Sequence, residues 1–483
     1  MIPMTLSEIA RVVGASMHDV RDPEALVTAP SAVDSREVVP GGLFAATVGA
    51  HVDGHDYAAG AIASGAVAVL ASRPVSVPTS RPAAGPAAER AAGPVSGPAG
   101  VPALVVEDVQ VALGLLAKHL LERISPTVIG LTGSVGKTTT KDLLAQVLDR
   151  HAATVATDRS FNNELGLPLT VLRADAGTRY LVLEMGAGRK GDLTYLTGLA
   201  PPQVGLVLNV GTAHVERIGA GLADVAEAKG ELVAALPADG FALLNADDPY
   251  VMGMAGRTKA QILLYGRSAE AQVRAEDVRM DDRARIAFEL VTPSGRARVG
   301  LDLIGEHQVS NALAAAAVAT TLGLSVAEIA DGLNAARRRS GGRLEIVERP
   351  DGITIVNDAY NANPESMRAG LRAVKALAGA RRTIAVLGAM GQQADASRAR
   401  HAEMGRLVAG LGINVLIAVG PGDPLAMAEA AESAGPGVAV HTVEDVAGAT
   451  TLATALLEPG DVVLVKASSE IGLSACARAL AGA

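Results

Sequence analysis

One segment of the sequence has residue types and spacing that suit phosphate chemistry. Residues 128–132 are mostly apolar and predict a buried strand, and Gly-Ser-Val-Gly at 133–136 follows as a loop with little side-chain bulk. From Lys137 onward the apolar positions repeat at helical spacing. A strand, a glycine loop, Gly-Lys-Thr and a helix are typical of a P-loop. In such a loop backbone N–H groups bind phosphate oxygens, Lys137 would neutralise the terminal phosphates, and the Thr138 hydroxyl would coordinate Mg²⁺.

The opening of this loop is a variant of the usual spacing. The common pattern has a glycine six positions before the lysine, where this chain has Leu131, and the glycine stands one position earlier, at Gly130. An ordinary glycine turn between a strand and a helix is the alternative, and Gly-Lys-Thr in this context argues against it. The predicted nucleotide-binding residues of the loop are Thr132, Gly133, Ser134, Val135, Gly136, Lys137, Thr138 and Thr139.

Three further residues have side chains that suit an active site of an α/β protein. The apolar run 180–186 predicts a strand that ends at Glu184, and an acidic residue there suits a magnesium site. The next predicted strand, 204–210, is followed by His214; an isolated histidine is more often a surface residue, but strand ends favour a site. Lys229 lies on a predicted helix, 223–236, whose charged residues alone indicate a solvated face.

The surrounding elements predict an α/β protein of three domains. We expect a small α/β N-terminal domain (1–103), a central P-loop ATPase-like domain with a mostly parallel sheet (104–339) and a Rossmann-like C-terminal domain (340–483). Residues 73–102 contain seven prolines among Ala, Gly and Ser, and predict a flexible insertion. The predicted strands of the last domain are 353–356, 383–387, 415–419, 438–440 and 462–465, and the predicted helices before it are 311–322 and 325–336.

Composition excludes several classes of function. The formal net charge of −9, the 2% of aromatic residues and the absence of tryptophan argue against a nucleic-acid-binding protein. A single cysteine, Cys476, excludes an internal disulfide framework and a zinc site built from several cysteines. We find no signal-peptide pattern and no apolar stretch suited to a membrane span, so the expectation is a cytoplasmic protein without membrane insertion. Nothing in the sequence requires more than a monomer.

A set of motifs in fixed order resembles one enzyme family, the Mur ligases, which form amide bonds with ATP in peptidoglycan precursor synthesis. The resemblance covers nearly the whole chain apart from 73–102. Segments 161–166 and 357–367 are most similar to the member that joins D-alanyl-D-alanine to UDP-N-acetylmuramoyl-tripeptide through an acyl phosphate. The motifs are Thr132–Thr140, Glu184–Gly186, His214, Ala228–Glu231, His307–Asn311, Gly342–Arg343 and Asn357–Pro364.

The resemblance implies ATP and two Mg²⁺ ions as cofactors, and it implies a role for each matching residue. Lys137, Lys229 and His214 would be catalytic, with Lys229 carbamylated to become an anionic magnesium ligand. The metal ligands would be Thr138, Glu184, His214 and Lys229. Asn311, Arg343 and Asp358 would contact the nucleotide, and Ser35, Arg36, Asn162 and Asn163 would contact the UDP-sugar peptide.

One departure from the family pattern and two alternatives remain at this point. Relatives typically have Lys-Gly-Ser-Arg where this chain has Lys-Ala-Ser-Ser at 466–469, so the role of this loop in binding D-alanyl-D-alanine is open. The adjacent ligase, which adds a diamino acid to UDP-N-acetylmuramoyl-dipeptide, is the nearest alternative, although its usual amino-acid motif is not evident. A P-loop ATPase switch is the alternative from another class, and the second Rossmann-like sheet argues against it.

Overall fold

The computed structural model describes residues 1–49, 52–76, 100–219, 221–391 and 396–482. The predicted insertion 73–102 lies mostly outside the described residues. The chain divides into two compact units. The first comprises Met1–Val128, Ala153–Leu183 and Tyr195–Pro201, and the second comprises Ile129–Ala152, Glu184–Thr194 and Pro202–Ala483. This division does not test the predicted domain boundaries at residues 103 and 339, which stay predictions.

Helices and strands alternate along most of the described chain, as the sequence predicts for an α/β protein. The α-helices are α1 Leu6–Val13, α2 Ala58–Ala63, α3 Val109–Ile124, α4 Lys137–Asp149, α5 Gly166–Val171, α6 Asp192–Leu199, α7 Val215–Ile218, α8 Leu222–Ala234, α9 Pro249–Met252, α10 Gln308–Thr321, α11 Val326–Ala335, α12 Pro364–Ala378, α13 Ser397–Gly410, α14 Asp423–Ser433, α15 Val446–Leu456 and α16 Ser474–Ala481.

The strands follow the same order along the chain. They are β1 Met4–Thr5, β2 Ser16–His18, β3 Leu26–Val27, β4 Leu43–Ala45, β5 Ala68–Ala71, β6 Ala103–Val105, β7 Thr127–Thr132, β8 Thr154–Ala156, β9 Tyr180–Glu184, β10 Val204–Val207, β11 Phe241–Asn245, β12 Gln261–Gly266, β13 Val273–Met280, β14 Arg285–Thr292, β15 Gly295–Ile304, β16 Glu345–Glu348, β17 Thr354–Asn357, β18 Thr383–Gly388, β19 Val415–Val419, β20 Ala439–Val443 and β21 Val462–Lys466.

The first unit contains a four-stranded sheet in the order β2-β6-β5-β4. Strands β4, β5 and β6 are parallel and β2 pairs antiparallel to β6. Phe44, Val69 and Ala61 are buried in the core between this sheet and α2. The Thr5 hydroxyl caps α1 by accepting from the Glu8 N–H, which satisfies a backbone donor that the first helical turn leaves without a partner.

The P-loop strand β7 belongs to a nine-stranded sheet, seven strands of which lie in the order β15-β14-β13-β12-β11-β10-β7. The pairs from β7 to β13 are parallel, and β13, β14 and β15 form an antiparallel edge. Parallel strands place their carboxyl ends at one edge, so the loops after β7 and β10 meet there. Helix α10 begins at Gln308, three residues before the predicted start, which places Asn311 in its first turn.

A second sheet, which lies in the second unit, has the order β16-β17-β21-β18-β19-β20. It is parallel except for β16, which pairs antiparallel to β17 and which the sequence analysis missed. Its central strands are buried on both faces, because α12, α13 and α14 cover one face and α15 and α16 cover the other. Burial on both faces explains why these strands read as continuous apolar runs rather than alternating ones.

No α-helix in the described ranges is long and apolar enough to cross a membrane.

Candidate active site

The loop between β7 and α4 is held in shape by contacts from distant segments of the second unit. Gly136 has φ +84°, and a Cβ atom there would lie 2.4 Å from Asn311 Oδ1, so only glycine fits. Asn209 Oδ1 accepts from the Ser134 and Val135 N–H groups at 3.0 and 2.9 Å, and its Nδ2 donates to Val135 O. The N-terminus of α4 directs backbone N–H groups at this loop, which makes it suited to an anion such as phosphate.

Lys137 and Thr138, the two predicted site residues at the start of α4, lie near charged groups from elsewhere in the chain. Thr138 Oγ1 donates to Glu184 Oε2 at 3.0 Å and accepts from Arg343 Nη2 at 3.3 Å. Lys137 Nζ donates to Gly133 O at 2.7 Å. Burial, and secondarily the positive charge of Arg343, lower the pKa of Lys137, while the Glu184 carboxylate opposes that shift. The structure therefore brings together four predicted site residues, two of them cationic.

Lys229 is buried, with 1% of its surface exposed. The solvated position that the helix pattern alone indicates is therefore wrong for this residue. On the same helix, Glu227 accepts from Lys190 and Glu231 accepts from the Gly191 and Thr194 N–H groups, both outside the core. Burial, and then the charge of Lys137, hold the pKa of Lys229 well below its ordinary value. The physical cause is that a second ammonium in a desolvated position is disfavoured, which shifts the equilibrium towards the neutral amine.

His214 lies at the start of α7 in the left-handed conformation, with φ +62°. It lines a pocket of about 140 Å³ together with Tyr360, Asn361, Ser468 and Glu470 from segments that follow strands of the second sheet. Among the described residues there is no group of three or more His, Cys, Asp and Glu side chains that could hold a metal ion. The Thr138–Glu184 contact brings two of the four predicted metal ligands together.

Two of the predicted nucleotide contacts reach the P-loop. Asn311 Oδ1 accepts from Thr140 Oγ1 at 3.4 Å, and its Nδ2 donates to Gln308 Oε1 at 2.8 Å. The Arg343 guanidinium lies 4.3 Å from the centre of the Tyr360 ring, a cation–π distance. Within the described part of the chain, neither the buried Nε of Arg343 nor the buried Thr132 hydroxyl has a hydrogen-bond partner.

The third predicted nucleotide contact, Asp358, belongs to a buried ion pair. Its Oδ2 lies 2.6 Å from Lys466 Nζ, and its Oδ1 accepts from the Leu344 N–H at 3.1 Å. Lys466 is 1% exposed and also donates to Asn361 O at 2.9 Å. Sequence reasoning did not assign Lys466 to the site. The available signal was its position, since it ends a buried parallel strand where a charged residue needs a partner.

The predicted contacts to the UDP-sugar peptide lie in the first unit. Ser35 and Arg36 form a short helical turn capped by Asp34, and the Arg36 guanidinium lowers the pKa of that partly exposed carboxyl to about 2. Asn162 and Asn163 lie in the turn before α5, where Asn163 Oδ1 accepts from a backbone N–H at 3.0 Å. The two segments are linked within this unit by an ion pair between Arg159 and Glu37 at 3.4 Å.

Three family models match consecutive parts of the chain. They are described as "Mur ligase family, catalytic domain" for residues 32–120, "Mur ligase middle domain" for 131–319 and "Mur ligase, glutamate ligase domain" for 342–469. A curated UDP-N-acetylmuramoyl-tripeptide–D-alanyl-D-alanine ligase from Mycobacterium tuberculosis is 44% identical over 506 residues, which cover 99% of this chain and 98% of the relative. The chain belongs to the Mur ligase family.

Solved structures of other Mur ligases have the same fold. MurF from Acinetobacter baumannii is 29% identical with a TM-score of 0.82, covering 100% of this chain and 99% of that one. MurF from Thermotoga maritima, solved in complex with ADP, is 28% identical with a TM-score of 0.75 and covers 94% and 98%. The predicted family and the predicted α/β fold class with three domains are confirmed.

Proposed function

We propose that this Mur ligase joins D-alanyl-D-alanine to UDP-N-acetylmuramoyl-tripeptide with ATP. Curated relatives that match across the full chain are named for this reaction, and one solved relative contains ADP. The observation that carries the proposal is the meeting of Lys137, Thr138, Glu184 and Arg343 at the N-terminus of α4. That arrangement suits a triphosphate with several negative charges.

The chemistry has two steps, and both need alignment and charge neutralisation. An oxygen of the tripeptide's terminal carboxylate attacks the γ-phosphorus of ATP, and ADP leaves. The amine of D-alanyl-D-alanine then attacks the acyl carbon, the amide bond forms, and phosphate leaves with the bonding electrons of the C–O bond while the amine loses a proton. Lys137 and Arg343 would neutralise the transferring phosphoryl group, as preorganised cations do in a water-poor site.

The residues present fit magnesium ions. Thr138 and Glu184 offer oxygen donors 3.0 Å apart, the donor type that Mg²⁺ prefers. We propose that they hold one ion and that His214 and Lys229 serve a second. The bound ions would neutralise charge on the phosphate oxygens.

Lys229 would act as a carbamate. The structural support is its burial next to Lys137, because a neutral amine can add to CO₂, forming an N–C bond and releasing a proton. The product carries a negative charge where the unmodified ammonium would be repelled by Lys137 and by metal ions. Carbamylation would therefore convert a destabilised cation into an oxygen ligand.

The remaining predicted contacts complete the proposal. The nucleotide would contact residues 132–139 with Asn311, Arg343 and Asp358. The UDP-sugar peptide would contact Ser35, Arg36, Asn162 and Asn163 in the first unit. We also propose that the protein acts as a cytoplasmic monomer, with domains divided near residues 103 and 339.

Mass spectrometry of the products tests the function. Purified protein incubated with ATP, Mg²⁺, UDP-tripeptide and D-alanyl-D-alanine should yield the UDP-pentapeptide, ADP and phosphate in equal amounts. Omission of either the acyl or the amine substrate should remove the product. A product formed from UDP-dipeptide and a diamino acid would favour the adjacent ligase, and steady ATP hydrolysis without acyl and amine substrates would favour a P-loop switch.

A further inference from the structure

Glu365 is a carboxylate for which neither the family resemblance nor the comparisons give a role. It is half-buried at the second position of α12, in the domain that follows the P-loop domain. Its Oε1 accepts from the Thr212 N–H at 3.0 Å and from the Thr212 hydroxyl at 3.1 Å, and the same hydroxyl lies 3.2 Å from Oε2. We call this contact the Glu365–Thr212 bridge.

On one side the bridge leads directly to the P-loop. Thr212 follows Gly211, whose N–H donates to Ser134 Oγ at 2.8 Å and whose carbonyl accepts from the same hydroxyl at 3.1 Å. Asn209, two residues before Gly211, accepts from the loop's backbone N–H groups. The segment 209–212 therefore connects the phosphate loop to Glu365, because Asn209 and Gly211 bond to the loop and the adjacent Thr212 bonds to Glu365.

On the other side the bridge is anchored in the second sheet's domain. Asn363 caps α12 by accepting from the Ser366 N–H at 2.8 Å, and Met367 and Leu371 on the helix are buried in the core. Gly370 of α12 packs against Asp358, since a Cβ atom there would lie 3.2 Å from the Asp358 carboxylate. Both ends of the bridge thus belong to rigid surroundings, so the contact fixes Thr212 relative to α12.

Thr212 lies close in sequence to a predicted site residue, so the bridge can affect the position of that residue. His214, two residues further along, lines the pocket shared with segments of the second sheet's domain. There is little free space around the bridge, because a Cβ atom on Gly211 would lie 3.0 Å from Glu365. Displacement of a reacting group by about 1 Å can lower a rate about a hundredfold.

From this geometry we infer that Glu365 is a positioning residue for the ligation reaction. It fixes the loop 209–214 against α12, so that the phosphate loop and the residues around His214 keep the alignment that the two-step transfer needs. The inference rests on the proposed function for its catalytic consequence, whereas the bridge itself is a structural contact. The alternative is that a carboxylate near a helix N-terminus only stabilises α12 through the helix dipole.

Variants on both sides of the bridge distinguish these two roles. Glu365→Ala and Thr212→Val should each lower kcat roughly tenfold or more, the usual effect of losing a hydrogen bond to a charged group, while the KM for ATP changes less than about twofold. Thr212→Ser keeps the hydroxyl and should restore kcat to within about twofold of wild type. The matched control is Asp423→Asn, which removes a first-turn carboxylate of α14 and should leave kcat unchanged.

The double variant gives the coupling. Glu365→Ala combined with Thr212→Val should lower kcat no further than Glu365→Ala alone, because loss of the carboxylate already removes the hydroxyl bonds that Thr212→Val removes, whereas Thr212→Val keeps the bond from the backbone N–H. Multiplying effects, or a kcat within twofold of wild type in both single variants, would overturn the inference. If Glu365→Ala fails to fold, Thr212→Val against Thr212→Ser decides the same question without altering the helix carboxylate.

A second measurement keeps this test separate from the proposed function. Hydrogen exchange at the Thr212 amide should be slow in wild type and at least roughly tenfold faster in Glu365→Ala, because its acceptor is lost. Unchanged exchange would overturn the bridge whatever the enzyme catalyses. If wild type shows the protected amide but forms no UDP-pentapeptide, the proposed function fails, and with it the catalytic role of Glu365.

Discussion

Two lysines in the second unit are equally buried, and their surroundings are opposite. Lys466 lies 2.6 Å from the Asp358 carboxylate, whereas the charged neighbour that perturbs Lys229 is another lysine, Lys137. Burial lowers the pKa of both ammonium groups, but the Asp358 charge opposes that shift for Lys466, while the Lys137 charge adds to it for Lys229. The carboxylate of Asp358 compensates the buried charge of Lys466 within the protein. The buried Lys229 ammonium is instead destabilised by a second cation, and a bound or covalently added anion would relieve that repulsion.

The largest expected effect on activity comes from removing Lys137, the cation near Lys229. Lys137→Ala should lower ligation at least about a thousandfold, because a preorganised cation at the transferring phosphoryl group is worth several kcal/mol. Thermal unfolding of the variant should match wild type. Within the described residues, the Lys137 side chain donates a hydrogen bond only to the Gly133 carbonyl of its own loop, so its loss removes no contact with another segment. Turnover near wild type at saturating ATP would show that the P-loop assignment is wrong.

Replacement of each buried lysine by methionine, which has a similar length, should lower the protein's unfolding free energy by different amounts. Lys466→Met should cost roughly 3–5 kcal/mol of unfolding free energy, because Asp358 is left as a buried charge without its cation. Lys229→Met should cost less than about 1 kcal/mol, because it removes a charge that burial already disfavours. Urea denaturation measures both, with the exposed Lys118→Met as the control. Equal losses at the two positions would contradict the comparison.

A histidine beside the Lys466 pair gives a smaller, pH-dependent effect. Burial, and then the Lys466 charge, lower the pKa of His307 from 6.5 to about 4, while the Asp358 charge opposes the shift. Between these values the unfolded chain binds more protons, so stability is present above pH 6.5 and is lost as pH falls towards 4, by roughly 3 kcal/mol in all.

Unfolding free energies measured from pH 7 to pH 4 test this expectation. His307→Gln should flatten the dependence in that window, whereas the control His441→Gln on β20 should retain the wild-type slope. A wild-type slope in His307→Gln would place the responsible groups elsewhere.

Local pattern was sufficient to predict the P-loop, most strands of both sheets and the residues at their carboxyl ends. Helical periodicity predicted α8 but not which side of it is buried, so Lys229 could be placed only through the family resemblance. Strand β16 was missed because Glu-Ile-Val-Glu at an antiparallel edge has no strong apolar run.

The contacts around the candidate site join residues far apart in sequence. Asn311 fills the space over Gly136, and Lys466 pairs with Asp358. The Glu365–Thr212 bridge spans 153 positions. Periodicity acts over a single helix or strand, so no pattern in one sequence could supply these pairings.

We propose that Lys229, buried beside Lys137, serves the reaction as an anion. The most direct measurement is ligation by Lys229→Ala with and without added acetate, which can occupy the vacated position as a small carboxylate. We expect an almost inactive variant that acetate partly restores in a saturable manner, while Lys137→Ala shows no such response. Full activity of Lys229→Ala without acetate would contradict the claim and remove Lys229 from the site.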